Sequence, residues 1–254
     1  LFDLNGLSKL KDTGRMAIIH NGSPLFNGDA GSGSSEIRRY MIENDWLEAI
    51  VQLPDYSFYN TPITTYIWIL SKQKPKHREG KIQLIDASQM FEKRKKAIGD
   101  KKNDISDLFR EIIVKAYGDF QNKEYSFSGK TCESKIFNNM DFGYNKIVVE
   151  TPMLDENGKI VTKKGKAIPD VSKRDVENVP LDEDVDIYFN REVLPYNPNA
   201  WIEKSKTKVG YEIPFIRQFY KYETPEKTGD IAVRIKALEN EISESLKEIV
   251  GSWG

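Results

Sequence analysis

Hydrophobic and polar positions along the chain converge on one stretch, Leu47 to Lys72. Two runs rich in β-branched residues, 47–53 and 63–70, are bounded by turn residues and read as strands buried on both faces. The connector between them, Pro54–Pro62, carries Phe58, Tyr59 and Asn60. These side chains can stack and hydrogen-bond, and they are ill suited to a purely solvated turn.

The flanking pattern predicts a β-α-β order. Leu4, Leu7 and Leu10 mark the end of a helix over residues 1–11, stopped by Asp12-Thr13-Gly14, and residues 15–20 read as a buried strand. A loop rich in glycine and small polar residues, Asn21–Gly33, follows. Ser34 or Ser35 can cap the next helix, with Glu36 at its positive end and Ile37, Tyr40 and Met41 on its apolar face. Residues 15–53 thus form one crossover, from which the connector can return 63–70 antiparallel.

Lys81–Ile85 reads as a further short strand, and Lys93–Lys96 with Lys101-Lys102 as an exposed basic connector. Asp104 is placed to cap a helix over 105–117 with Ile105, Leu108, Phe109, Ile112 and Ile113 inward. Short strands are expected between 120 and 180, with a hairpin at Asp155-Glu156-Asn157-Gly158, then an acidic helix Asp182–Leu194 closed by Pro195. From Asp230 to near Val250, Ile231, Ile235, Leu238, Ile242 and Ile249 form a short coiled-coil seam with Ser245 in its gap. A helix so short and charged is marginal alone, so it should dock onto its own domain or a partner helix. Three regions are expected: 1–117, a mixed α+β tail over 118–229, and the helix of 230–254.

Composition narrows the function classes. Hydrophobic residues make up 39% and charged residues 30%, which allows a real core under a heavily charged surface. Aromatics at 11% argue against disorder. No apolar run approaches the roughly 20 residues of a membrane span, and the start does not read as a signal peptide. One cysteine, Cys132, and two histidines exclude an internal disulfide and the usual zinc clusters, which points to a reducing cytoplasm and no structural metal. The chain begins at Leu1 without an initiator methionine and is expected to be part of something longer. Net charge is −1, but residues 72–102 hold eleven Lys/Arg against four Asp/Glu, and residues 150–192 hold seven against eleven. That asymmetry is compatible with one face meeting an anionic partner, although on charge alone an ordinary solvated face fits better.

Three patterns could carry chemistry. Gly28-x-x-Gly31-x-Gly33 before a helix invites a phosphate cradle, but it lacks the Gly-Lys-Ser/Thr ending and the Gly-x-Gly-x-x-Gly spacing; a loop at the carboxyl edge of a parallel sheet fits better. Pro54-Asp55 with Glu79-Gly80-Lys81 matches a short Mg²⁺-nuclease pattern of two carboxylates and a lysine. Phe58-Tyr59-Asn60 could hold a base extruded from DNA between aromatic surfaces. Taken alone, those three residues fit ordinary packing better.

Longer segments change that weighting. Gly14-Arg15-Met16-Ala17-Ile18-Ile19-His20-Asn21-Gly22, residues 31–45 and Leu47–Leu70 resemble the modification (methyltransferase) subunit of type I restriction-modification systems, an adenine-N6 DNA methyltransferase family. Asp141-Phe142-Gly143-Tyr144-Asn145-Lys146-Ile147 and Lys204–Pro214 resemble its later part. The resemblance implies an α/β fold: a partial Rossmann-like methyltransferase sheet with residues 15–20, 47–53 and 63–70 as the fifth to seventh strands, the last antiparallel. A mixed α+β tail and a carboxy-terminal helix would complete the chain.

The resemblance also implies S-adenosylmethionine as cofactor, and DNA, a specificity subunit and a restriction subunit as partners. Phe58 would be the stacking aromatic, with Tyr59 and Asn60 beside it in the target-base pocket. Asn21 and Phe26 would lie on the sheet-edge loop, and Lys204, Lys206 and Lys208 would meet DNA phosphates. The family's glycine-rich cofactor motif and its Asn-Pro-Pro-aromatic catalytic motif are absent from this sequence, so no catalytic residue is assigned and the chain alone is expected to be inactive. Pro62 stands where the family usually has glycine, which stiffens the loop. The rival readings are a non-catalytic interaction module and the Mg²⁺ nuclease built on Asp55, Glu79 and Lys81.

Overall fold

The run LEAIVQ, apolar but for Glu48 and Gln52, lies inside the main sheet with both of its faces covered. A computed structural model of the chain describes residues 1–222 and 224–251. After α1 (Phe2–Lys9), the main sheet takes β1 (Arg15–His20), β2 (Leu47–Gln52), β3 (Tyr66–Ser71) and β4 (Lys81–Asp86). Next come β5 (Glu92–Ile98), β6 (Lys101–Asp104), β7 (Lys123–Phe127), β8 (Lys130–Asn138) and β9 (Gly143–Glu150). The six-stranded sheet runs β1-β3-β2-β4-β8-β7. β3 is antiparallel to both β1 and β2, and β2 is parallel to β4. The return strand is antiparallel, as the short connector allows, and the structure inserts it between the two strands of the crossover.

Two helices cover the faces. α3 (Gly33–Glu43), which follows the short α2 (Ser23–Phe26), lays Met41 and Ile42 against Ile50, Trp68, Leu70, Ile82 and Leu84. α4 (Asp107–Asp119) lays Phe109 and Ala116 against Val51 and Ile85 on the other side. The alternation of odd and even positions between the two clusters is the period of a strand. Each fully buried aliphatic side chain contributes about 1.5–3 kcal/mol.

Local details depart from the sequence reading. β3 begins at Tyr66 rather than residue 63, because 63–65 belong to the loop. On α3 the buried residues are Ser35, Arg38, Met41 and Ile42, while Tyr40 stays exposed with its ring edge-on to Trp46 at 5.2 Å. α4 is preceded by Ser106 rather than capped by Asp104, whose carboxylate is taken by Arg94 and Lys101; Leu108 faces outward. Residues 92–104 are not a loose connector but the antiparallel hairpin β5–β6.

A second sheet gathers on β9, flanked by β12 (Asp175–Pro180) and, on its other side, by β13 (Trp201–Ile202) and β14 (Lys208–Tyr211). Small hairpins lie between β9 and β12: Gly158 takes φ +73 in the predicted turn beside the Leu154–Ile160 bridge, and β10 (Thr162–Lys163) pairs with β11 (Lys166–Ala167). The acidic helix is α5 (Val185–Glu192), capped by the Asp184 carboxylate accepting from the Asp186 and Ile187 amides. Residues Phe142, Tyr211, Ile213 and Phe215, the last opening α6 (Phe215–Phe219), enter the same core as β1–β4. Leu1–Phe219 accordingly pack as one unit, and a second begins at Tyr220. Within the first unit, β7 and β8 continue the main sheet beyond residue 117. The second unit contains α7 (Thr228–Gly251), on which Ile235, Leu238, Ile242, Leu246 and Ile249 are each more than half exposed. No helix among the described residues is long and apolar enough to cross a membrane.

Candidate functional site

The strands bring four residues level at one sheet edge: His20, Tyr66, Gln52 and Asp86 are successive register partners. Loops 21–32, 53–65 and the segment after Asp86 all leave from this edge. It is the carboxyl end of β1, β2 and β4, where parallel strands present ligand-binding loops.

Loop 53–65 is an ordered, narrow hairpin. The Leu53 amide donates to the Thr65 carbonyl at 2.8 Å, the Tyr56 amide to Pro62 at 3.1 Å, and Phe58 bridges Thr61. Tyr59 and Asn60 form the tip. Phe58 packs against the cluster containing Val51, Leu53 and Ile85, whereas Tyr59 is 68% exposed. Pro62 lies at the exposed side of this ladder with its carbonyl in use, so the loop closes with proline in the glycine position.

The hairpin β5–β6 grips that loop through its backbone. Tyr56 holds φ +50, an uncommon conformation for a tyrosine, and its carbonyl accepts from the Lys102 and Asn103 amides at 3.0 and 3.2 Å. The Asn103 side chain, buried, donates to the Asp55 carbonyl at 2.9 Å and its carboxylate at 3.2 Å. At the tip, the Asp100 amide donates to the Tyr59 carbonyl at 2.9 Å, and Gly99 at φ +58 leaves room for that carbonyl. The lysine-rich composition concealed this role, because the gripping groups are backbone amides.

The loop after β1 is fixed by a residue that sequence reasoning missed. Arg38 is buried, and its guanidinium donates to the carbonyls of Tyr211 (2.6 Å), Asn27 (2.8 Å), Pro24 (3.0 Å) and Gly28 (3.4 Å). Burial lowers its pKa from the usual arginine range, with Glu212 and Tyr144 opposing. The Asn21 side chain accepts from the Ser23 amide at 3.1 Å, opening α2, and Phe26 is exposed beyond it. The glycine loop is no anion cradle: Asp29 occupies it, its pKa lowered by the Lys146 ammonium 2.6 Å away. Nothing in the helical pattern marked Arg38, because its acceptors are backbone carbonyls.

The three lysines expected to meet DNA have different environments. Lys206 donates to Glu150 Oε1 at 2.8 Å, as does Arg174, and Lys204 lies 3.5 Å from Asp186. Lys208 has its stem against Gly31, beside the loop after β1.

The nuclease pattern is dispersed. Lys81 starts β4 level with the start of β2, while Asp55 lies past the far end of β2. About eight residues of extended chain, on the order of 25 Å, separate them. No group of three or more His, Cys, Asp or Glu among the described residues could hold a metal ion. The Mg²⁺-nuclease reading fails, because Asp55 and Lys81 stand at opposite ends of the sheet.

At the opposite end, Glu48 occupies a register shift in β2 and is fully buried. It meets Arg15 at 3.1 Å, Arg78 at 3.5 Å and the Tyr117 hydroxyl at 2.6 Å. Arg78 lies between the rings of Tyr117 and Phe120, 4.4 and 4.3 Å from their centroids. The bulge aims a carboxylate at α4 and locks that helix to the sheet.

A cavity of about 300 Å³ opens beside β1, lined by Leu1, Asp3, His20, Asn21, Arg38 and Trp68, among others. Its carboxylate, Asp3, is already engaged by His20 Nε2 at 2.8 Å, and Arg38 is consumed by carbonyls. These residues do not by themselves fit S-adenosylmethionine, whose ribose hydroxyls and ammonium need free acceptors.

The mixed sheet, with an antiparallel strand inserted and an aromatic loop at its carboxyl edge, agrees with the α/β arrangement that the resemblance implies. The chain matches the family model of N-6 DNA methylases over residues 2–151, more than half its length, and belongs to that family. It is 29% identical over 197 residues to the Type I restriction enzyme MjaVIII methylase subunit of Methanocaldococcus jannaschii, covering 78% of this chain and 28% of that protein. It is 36% identical over 84 residues to the Type I restriction enzyme HindI methylase subunit of Haemophilus influenzae, covering 32% and 17%. Among solved structures, the type I restriction-modification methyltransferase subunit from Streptococcus thermophilus aligns with TM-score 0.46 and 27% identity, over 56% of this chain and 26% of that one. The chain thus spans less than a third of the length of these curated relatives.

Proposed function

We propose that the chain is the target-base side of a type I DNA adenine-N6 methyltransferase that uses S-adenosylmethionine, and that Phe58 stacks on the extruded adenine. The observation that carries this reading is the asymmetry of the loop tip. A stacking platform needs one face backed by rigid packing and another left free. Phe58 has such backing from Val51 and Leu53, and the β5–β6 grip keeps the loop from folding inward. Tyr59, exposed at the tip, can close on the base or its neighbour, and Asn60 offers amide donors and an acceptor.

The cofactor supplies the methyl group when bound. This chain's own residues orient the base and exclude water from its face; the groups that polarise the adenine amino group lie outside this sequence. Asn21 and Phe26 belong to the neighbouring loop of the same edge. Lys208 beside Gly31 is the best placed of the three lysines for a DNA phosphate, since Lys204 and Lys206 are in ion pairs.

The exposed seam of α7 is the docking surface for the specificity subunit or another subunit of the same system, the restriction subunit included. The regional division at 117 and 229 is then one of role: base handling before it, support in the middle, docking in α7. The test is methyl transfer by the full-length Phe58→Ala protein: activity should fall while cofactor binding survives.

A further inference from the structure

We infer that the hairpin β5–β6 is a phosphate clamp that holds the DNA backbone beside the target-base loop. The inference rests on the base-loop reading above and adds to it a backbone site. Between Phe91 and Asp104 the chain carries six lysines and arginines against three carboxylates. Two of those cations, Arg94 and Lys101, share Asp104. Lys93, Lys95 and Lys96 are exposed and have no carboxylate partner among the described residues. Clustering like charges on a two-stranded hairpin costs folding energy and returns nothing within the protein. An anionic partner removes that cost.

The hairpin and loop enclose a cleft suited to such a partner. It measures about 470 Å³ and is lined by Lys93, Arg94, Lys102, Tyr56 and Asp55, among others. That is within the range of small-ligand clefts, about 300–1,000 Å³. The single carboxylate, Asp55, is held by Asn103, and Lys102 is fixed 4.5 Å above the Tyr56 ring, so the cleft is cationic and partly preorganised. The amides of Asp100, Lys102 and Asn103 bond to the carbonyls of Tyr59 and Tyr56, which ties the clamp to the base loop. A phosphate bound here fixes the strand at a set distance from Phe58. Extrusion of a base strains the backbone on either side of it, and cations at that place stabilise the distorted strand.

The test uses the complete methylase complex carrying Lys93→Gln, Lys95→Gln and Lys96→Gln together, with the Lys→Arg triple variant as its charge-preserving control. Affinity for a duplex containing the target site is measured by fluorescence anisotropy at several salt concentrations. Each phosphate contact contributes about 0.9 to the slope of log K against log salt. The glutamine variant should reduce that slope by about 2 to 3, equally for target and non-target duplexes, while the arginine variant retains it. An unchanged slope overturns the proposal. So does an unchanged slope accompanied by loss of complex assembly on size exclusion, which would make the hairpin a protein-docking element. Phe58→Ala distinguishes the two readings: it should lower methylation and leave the salt slope intact. If it lowers methylation while the glutamine variant keeps its slope, only the clamp fails; if it has no effect while the slope drops, the clamp stands and the base loop fails.

Discussion

The amide of Asp100 donates to the carbonyl of Tyr59 at 2.9 Å, joining the tip of a basic hairpin to the tip of the aromatic loop. Gly99 makes this approach possible. A Cβ there would stand 2.3 Å from the Tyr59 carbonyl oxygen, and its φ of +58 is strained for any L side chain. Gly99→Ala should lift the hairpin from the loop and destabilise the unit by about 1–2 kcal/mol. Hydrogen exchange at the amides of Asp100, Lys102 and Asn103 measures the release directly; protection at the wild-type level would contradict the interlock.

Arg78 and Glu48 make the second structural prediction. Removing the guanidinium leaves a fully buried carboxylate with only Arg15 and the Tyr117 hydroxyl. Arg78→Met should cost about 3 kcal/mol in urea unfolding, since breaking one member of a buried pair strands its partner. Adding Glu48→Leu should restore much of that loss, because no stranded buried charge then remains in this network.

The same network sets an alkaline limit. Burial, followed by the Glu48 hydrogen bond, pushes the Tyr117 hydroxyl up to about 12. In the unfolded chain it titrates near 10. The unfolded state therefore loses this proton first, so the contribution to stability is intact below pH 10 and declines as pH rises toward 12. Burial raises Tyr125 and Tyr211 to about 12 as well, which steepens the decline. Urea midpoints between pH 9 and 11 should fall, and Tyr117→Phe should flatten part of that slope.

For α7, truncation before Asp230 should leave the unit Leu1–Phe219 folded and abolish assembly of the complex. Leu238→Lys with Ile242→Lys should do the same without shortening the chain, because both side chains are more than half exposed. Size exclusion of the co-expressed subunits reads the outcome, and a normal complex would contradict the docking role.

How much of this was legible in the sequence depends on how far each residue lies from its partners. β2 and β3 were readable because apolar runs declare their burial locally, and the short connector settled their antiparallel return. Arg38 was not readable: its strongest hydrogen bond is to the carbonyl of Tyr211, 173 residues away, and nothing in a helical pattern marks a charge whose acceptors are backbone. Glu48 looked like a polar interruption in a strand until the bulge and Tyr117 gave it partners. The β5–β6 hairpin hid behind its charge, since its stability comes from amides docked on another loop rather than from an apolar face. Phe58, Tyr59 and Asn60 were singled out because aromatics in a turn are unusual, yet their division into a backed ring and an exposed one needed the fold. The nuclease pattern failed for the complementary reason, because proximity in sequence does not prevent residues from standing at opposite ends of a sheet.

The central claim is that Phe58 is the platform for the extruded base. Stacking on an aromatic side chain contributes about 1–3 kcal/mol per base. Single-turnover methylation by the full-length complex should therefore fall about tenfold to a hundredfold in Phe58→Ala, recover in Phe58→Trp, and leave the dissociation constant for S-adenosylmethionine unchanged. Wild-type turnover by the alanine variant would contradict the account.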